Sequence, residues 1–231
     1  MNKEILGSFE VKGNQLVVSD PCYPIEDAFD ESAILSWVLE PAKSGEWEST
    51  VFFTEDFTIT KLMARHCDVE LGSEWIETGK DIGVDSAMAG IFDASVFGRD
   101  EAISYEVKNI YDIEMDEEGM KYYVACSDII ASSDDEAGIV AGGTVLMSGI
   151  GDGYYPVFVQ KNDQNEIVAV LLEFYVEDEE EWSNKRLSIK EVSYYFLELW
   201  LCLLDLYSRL FNWLLGTLFS NRSFNEENWA V

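Results

Sequence analysis

An acidic body and a strongly apolar C-terminal segment meet within this chain, and that change constrains its architecture more than any other feature. Of the 231 residues, the first 185 hold 40 of the 45 acidic side chains and 11 of the 15 basic ones. They therefore carry −29 of the formal net charge of −30. A nearly unbroken apolar run begins at Tyr194 and extends to Phe219. We expect a folded acidic domain followed by a segment that must leave water.

The charge also restricts the class of partner. A strongly negative protein repels nucleic acid and anionic membrane surfaces and attracts basic proteins. We therefore expect no direct nucleic-acid binding and a basic protein partner.

The four cysteines indicate where the protein resides. Cys22, Cys67, Cys126 and Cys202 lie far apart, without the spacing of a zinc site or a disulfide scaffold, which favours reduced thiols. The N-terminus has no apolar core of signal-peptide length. These features predict a cytoplasmic protein without a metal or cofactor. The acidic clusters also lack the ligand spacing of a calcium-binding EF-hand loop.

The body of the chain is rich in short runs of β-branched and aromatic residues. Such runs fall at residues 50–53, 57–64, 82–84, 103–107, 121–130, 139–147, 156–160 and 166–176. Two more flank Lys12-Gly13-Asn14 as a predicted hairpin, and residues 24–40 suggest a short helix. The fold class is therefore α+β, a mostly antiparallel β-sheet or sandwich domain followed by a long hydrophobic C-terminal helix. The predicted boundaries are 1–178 for the acidic domain, 179–190 for a charged linker, 191–220 for the helix and 221–231 for a polar tail.

The C-terminal helix would carry a narrow polar stripe on a largely apolar circumference. Glu198, Asp205, Arg209 and Asn212 belong to this stripe. Three environments satisfy such a helix: its own domain, a second copy in a homo-oligomer, or a bilayer. Residues 194–219 would extend about 39 Å, enough to cross a hydrocarbon layer. Membrane association through this segment therefore stays open, although a charge near the bilayer centre costs about 2.5 to 3.5 kcal/mol.

Two patterns resemble catalytic motifs only superficially. The glycines at residues 149–153 lack the lysine of a phosphate-binding loop, so a structural hairpin explains them better. Cys22 lies in a proline-bounded loop, and His66 is the single histidine. A cysteine and a histidine can form a nucleophilic pair if their side chains meet, but a buried cysteine and a core histidine with satisfied hydrogen bonds explain them better.

Three ordered motifs carry a family resemblance. They are Ser19-Asp20-Pro21-Cys22-Tyr23, the stretch from Gly83-Val84-Asp85-Ser86 to Gly90-Ile91-Phe92-Asp93, and Gly151-Asp152-Gly153-Tyr154-Tyr155-Pro156-Val157. Residues 15–176 resemble the bacterial domain-of-unknown-function family 4241, although Ala87 replaces a usual glycine. The resemblance implies a β-rich cytosolic domain without an assigned activity. If the three loops converge, they would line one pocket with Asp20, Cys22, Tyr23, His66, Asp85, Asp152 and Tyr155.

These features lead to three functional hypotheses. The first is a non-catalytic acidic protein of inhibitor, immunity or anti-defence type, whose C-terminal helix mediates self-association or docking. Its acidic binding residues would include Glu177, Asp178, Glu179, Glu180 and Glu181. The second is a membrane-acting effector whose C-terminal helix inserts or assembles in the bilayer. The third is a hydrolase that uses Cys22 or Asp152.

Overall fold

The structure is a computed structural model that describes residues 2–29 and 35–174. These residues form two antiparallel sheets with few helices, which confirms the predicted β-rich, mostly antiparallel fold. The predicted C-terminal helix and its polar stripe lie outside the described residues. The same holds for the predicted domain boundaries beyond residue 174.

The elements follow one another in a mostly β order. The strands are β1 (Asn2–Val11), β2 (Leu16–Ser19), β3 (Trp37–Leu39), β4 (Gly45–Phe53), β5 (Ile59–His66), β6 (Ile76–Val84), β7 (Met88–Asp93), β8 (Ala137–Val140), β9 (Gly143–Met147), β10 (Gly153–Lys161) and β11 (Ile167–Glu173). The helices are α1 (Ile25–Phe29), a 3-10 turn at Asp100–Ala102, and α2 (Met120–Ser132).

The two sheets enclose the main hydrophobic core. The first has the strand order β1-β4-β5-β11-β10-β6 and the second has the order β3-β2-β7-β9-β8. The core between them includes Trp47, Val51, Leu62, Leu16, Ile91 and Leu146. A buried hydrogen bond of 2.8 Å from Ser49 Oγ to Thr144 Oγ1 also joins the sheets. In the first sheet, β5 alternates between buried and partly exposed positions, whereas β11 is buried at six consecutive positions.

The second sheet is buried on both faces. Leu16 and Val18 of β2 face the first sheet, whereas Val17 between them belongs to a second core that includes residues of α2. Phe92 and Val145 contribute to the same second core. Because side chains alternate along a strand, this double burial requires apolar residues at consecutive positions. It explains the continuous apolar runs in β2 and β7.

Two strands predicted in the middle of the chain are not strands. Residues 121–130 form most of α2, because Tyr122, Cys126 and Ile130 recur every four residues and pack on the second sheet. Residues 103–107 belong to the irregular connection that precedes α2. The predicted run 139–147 is divided into β8 and β9, which pair with each other.

The N-terminal predictions also change in detail. The strands flanking Lys12-Gly13-Asn14 do not pair as a hairpin, because β1 pairs with β4 and β2 pairs with β3 and β7. Within the described part of the predicted segment 24–40, residues 25–29 form helix α1, and Trp37 begins strand β3. Among residues 2–29 and 35–174, none of the helices is both long enough and apolar enough to cross a membrane.

Candidate functional site

The buried carboxylate of Asp20 joins two of the sequence motifs. Its Oδ1 accepts hydrogen bonds from Cys22 N at 2.8 Å and from Ser86 Oγ at 2.6 Å. Its Oδ2 accepts from Asp85 N at 2.9 Å and from Ser86 N at 2.7 Å. Asp20 itself has 0% of its surface exposed. Four donors therefore surround this carboxylate, which gives it the environment of a structural anchor.

Tyr23 adds a second link between the same motifs. Its hydroxyl donates a 2.6 Å hydrogen bond to Asp85 Oδ2. Desolvation raises the pKa of Tyr23, and the hydrogen bond to the Asp85 carboxylate raises it further. The phenol therefore stays protonated, and it holds the Asp85 side chain in place.

The third motif reaches the junction through Ala87. Asp152 Oδ1 accepts a hydrogen bond from Ala87 N at 3.0 Å, and Ser148 N donates to Ala87 O at 2.9 Å. Ala87 has a φ of 56°, a backbone conformation that favours glycine. This explains why glycine suits the position that Ala87 occupies. The turn at residues 148–152 holds the strained residue on both sides.

The glycine-rich turn is not the hairpin predicted from sequence. It connects β9 with β10, which belong to different sheets. Tyr155 is buried in the core with 1% exposure, and its hydroxyl donates to Gly151 O within the turn. Tyr155 therefore supports the turn from the side of the hydrophobic core.

His66 does not join the motif junction. It lies on β5, where its Nε2–H donates to Ser44 O at 3.0 Å and its Nδ1 accepts from Asp68 N at 3.1 Å. Its ring also meets Trp47 edge to face, with a centroid distance of 6.1 Å. Both ring nitrogens are thus occupied by local backbone groups. None of its described hydrogen bonds connects His66 with Cys22.

Cys22 has an environment that opposes thiolate formation. The residue is exposed as a whole, yet partial desolvation of its thiol and the adjacent Asp20 carboxylate raise the pKa of Cys22 to about 12. Only the thiolate is a strong nucleophile, so little of this cysteine is reactive at neutral pH. The geometry gives no support to the predicted role of Cys22 as a nucleophile.

A shallow cavity lies beside Cys22 and Tyr23. Its volume is about 210 Å³, and its other lining residues include Pro21, Pro24, Arg99, Glu117, Glu118 and Tyr123. Asp20, His66, Asp85, Asp152 and Tyr155 do not line it. The seven residues predicted to share a pocket therefore do not line one cavity. Asp20, Asp85 and Asp152 belong to the hydrogen-bonded junction, and Tyr155 supports its turn. Cys22 and Tyr23 line the cavity, and His66 lies on β5 outside both.

Metal chemistry gains no support at this junction. No group of three or more potential metal ligands occurs in the described part of the chain. Within the same residues, every buried side-chain nitrogen or oxygen has a hydrogen-bond partner. The junction therefore offers no unpaired buried group that would position a ligand.

A second carboxylate organises the loop that precedes α2. Asp128 of α2 accepts hydrogen bonds from Lys108 N at 2.6 Å and Asn109 N at 3.1 Å. Four large apolar side chains on this loop are exposed: Tyr105, Ile110, Tyr111 and Met115. In the sequence, the signal for this surface is that large apolar residues are interspersed with acidic ones. The predicted binding residues Glu177, Asp178, Glu179, Glu180 and Glu181 lie outside the described residues.

The fold and junction define a β-sandwich domain whose motif carboxylates hold loops together. The family described as "Protein of unknown function (DUF4241)" matches residues 81–172, which confirms the sequence resemblance over that segment. The match extends from β6 into β11 and includes the loops of Asp85 and Asp152, but not the Asp20 motif. No curated protein and no solved structure matches the chain.

Proposed function

We propose that this protein is a non-catalytic acidic interaction protein of inhibitor, immunity or anti-defence type that binds a basic protein partner. The observation that carries the proposal is the commitment of the motif carboxylates to internal hydrogen bonds. Asp20 accepts four of them, and Asp152 accepts one from Ala87 N. Residues used in this way have a structural task, so the motif loops offer no obvious acid, base or nucleophile.

The remaining acidic side chains supply the binding chemistry. Residues 1–174 contain 35 acidic and 10 basic side chains, a formal net charge of −25. The described residues contain two ion pairs, Lys61 with Glu173 at 2.6 Å and Arg65 with Glu48 at 2.8 Å. Most carboxylates of the described residues therefore have no ion-pair partner among those residues. A basic protein surface would complement them and would be attracted over a long range at low salt.

The C-terminal part of the chain belongs to the same proposal. Residues 191–220 would form the long hydrophobic helix for docking or homo-oligomer formation, and Glu177–Glu181 would extend the acidic surface. This assignment rests on sequence composition and on the predicted polar stripe of the helix. A membrane-acting effector is the alternative if the helix inserts into a bilayer.

A binding experiment with the full-length chain tests the function. The probes are a fluorescent peptide rich in Lys and Arg and a neutral peptide of equal length. We expect the cationic peptide alone to bind, with an affinity that falls as salt rises from about 50 to about 300 mM and charges become screened. Replacing Glu179, Glu180 and Glu181 with Gln should weaken binding, whereas Cys22→Ala should leave it unchanged. Failure of the cationic peptide to bind at low salt would contradict the proposal.

A further inference from the structure

The connection between the 3-10 turn and α2 combines negative charge with exposed apolar surface. We call residues 104–118 the acidic loop. Its acidic side chains are Glu106, Asp112, Glu114, Asp116, Glu117 and Glu118, and its single basic side chain is Lys108. The loop therefore carries a formal charge of −5 in fifteen residues. Such a segment attracts a cationic partner from a distance.

The apolar side chains of the acidic loop are large and face solvent. The exposed fractions are 48% for Tyr105, 49% for Ile110, 65% for Tyr111 and 44% for Met115. Scattered single apolar residues are ordinary on protein surfaces, but several large ones within eleven residues are not. Tyrosine and methionine are also enriched in the centres of protein interfaces, which a polar rim surrounds.

Internal hydrogen bonds fix the backbone that presents these side chains. The Asp128 carboxylate accepts from the N–H groups of three consecutive residues, Lys108, Asn109 and Ile110. The Asn109 side chain closes the next turn, because its Oδ1 accepts from Ile113 N at 2.8 Å and its Nδ2 donates to Ile113 O at 2.9 Å. A loop held in this way loses less conformational entropy on binding than a free one.

We propose that the acidic loop docks a basic, amphipathic segment of a partner protein, with Ile110 and Tyr111 as its apolar anchors. This inference rests on the proposed function and names the surface and the partner chemistry that would carry it out. The occupant follows from charge complementarity, because a partner must bring both cationic and apolar side chains to satisfy the loop. A second copy of this chain, with its own net charge of −30, is a poor occupant by the same criterion.

Two peptide probes separate apolar docking from simple charge attraction. The first is an amphipathic peptide of about sixteen residues with Lys and Arg on one helical face and Leu on the other. The second keeps every Lys and Arg and replaces each Leu with Ser. Fluorescence anisotropy with the full-length protein gives both dissociation constants at equal salt. We expect the amphipathic peptide to bind at least about tenfold more tightly, as buried apolar anchors require.

Matched variants show which surface of the protein causes the preference for the amphipathic peptide. Ile110→Ala with Tyr111→Ala removes the anchors, and Ile5→Ala with Tyr154→Ala removes the same residue types, 63% and 62% exposed, elsewhere. We expect the first pair to abolish the preference for the amphipathic peptide and the second pair to preserve it. For charge, Glu114→Gln, Asp116→Asn and Glu117→Gln are compared with Glu55→Gln, Asp56→Asn and Glu74→Gln. Both sets add three to the net charge, but only the loop set should weaken binding by about tenfold or more.

The outcomes distinguish this inference from the function on which it rests. If the loop variants and their matched controls lose affinity equally, the acidic loop is not the docking surface, although a charge-driven interaction protein remains. If both peptides bind equally well, the apolar anchors have no role and the inference fails. If neither peptide binds, the inference and the proposed function fail together.

Discussion

Replacing Asp20 with Asn tests the structural assignment of the motif junction most directly. Each carboxylate oxygen accepts two hydrogen bonds, from Cys22 N and Ser86 Oγ at Oδ1 and from Asp85 N and Ser86 N at Oδ2. In either orientation, the Asn amide nitrogen would face two donors. Two hydrogen bonds to a charged group would be lost, each contributing about 1.5 to 3 kcal/mol.

The total for the two hydrogen bonds should lie at the lower end of this range, about 1.5 kcal/mol for each bond. The Ser86 hydroxyl can rotate and accept from the new amide, which leaves one opposed N–H, that of Cys22. We therefore expect Asp20→Asn to lower the free energy of unfolding by about 3 kcal/mol, a large share of the 5 to 15 kcal/mol typical of a folded domain. A conservative change in shape would thus cause a large change in stability.

Urea unfolding followed by tryptophan fluorescence measures this loss, since Trp47 is buried in the core with 0% exposure. With a denaturant slope of about 2 to 3 kcal/mol/M, the midpoint should fall by about 1 to 1.5 M. Asp163→Asn is the control, because this exposed carboxylate forms no side-chain hydrogen bond among the described residues, and its midpoint should barely move. Equal midpoints for the two variants would refute the structural role and leave Asp20 available for chemistry.

Two further predictions concern the reactivity of Cys22 and the glycine-rich turn. Because the pKa of Cys22 is raised to about 12 from 9.0, its thiolate fraction at pH 8 falls about a thousandfold. A more basic thiolate is also more nucleophilic, so alkylation of Cys22 should be about 30- to 60-fold slower than that of a thiol with the ordinary pKa. Peptide mass spectrometry across pH 7 to about pH 11 would disprove this if the rate levelled off near pH 9. Gly149→Ala should destabilise the fold by about 3 kcal/mol or more, since the added Cβ would lie 1.8 Å from Ile59 O. Gly151→Ala, at a φ of 90° with open space around it, should cost only about 1 kcal/mol, and urea unfolding measures both glycine variants.

The β-rich fold class could be predicted from sequence because strand signals are local. The short β-branched runs at residues 156–160 and 166–176 correctly place β10 and β11, which pair with each other. The signal fails where both faces of an element are apolar. Residues 121–130 contain the four-residue recurrence of a helix, but Val124 and Ala125 between those positions are also buried and obscure it.

Strand pairing could not be predicted from the sequence, for a different reason. Turn residues such as Lys12-Gly13-Asn14 show that the chain changes direction, but not whether it stays in one sheet. Here β1 and β2 enter opposite sheets, because β1 pairs with β4, more than thirty residues away. Long-range pairing depends on the combined burial of many strands, which no short segment encodes.

The motif junction shows the same limit at the level of single residues. The sequence identifies Asp20, Asp85 and Asp152 as motif members, but a carboxylate has the same letter whether it anchors a loop or binds a ligand. The distinction depends on which donors surround it, and three of the four donors to Asp20 come from residues 85 and 86. His66 illustrates the opposite case, since its sequence rarity suggests function and its local backbone partners show a core role.

The acidic side chains therefore divide into two populations with opposite effects on the folded state. Asp20 and Asp128 are buried and accept backbone N–H groups, as does Asp93, which accepts from Lys12 N and Ser95 N at 3.0 Å. Removing one of these carboxylates leaves unsatisfied donors and weakens the fold. The exposed acids Glu114, Asp116 and Glu117 repel one another instead, so removing them relieves repulsion within the domain. A loss of binding caused by neutralising exposed acids would therefore report on the interface, because the same change does not weaken the scaffold.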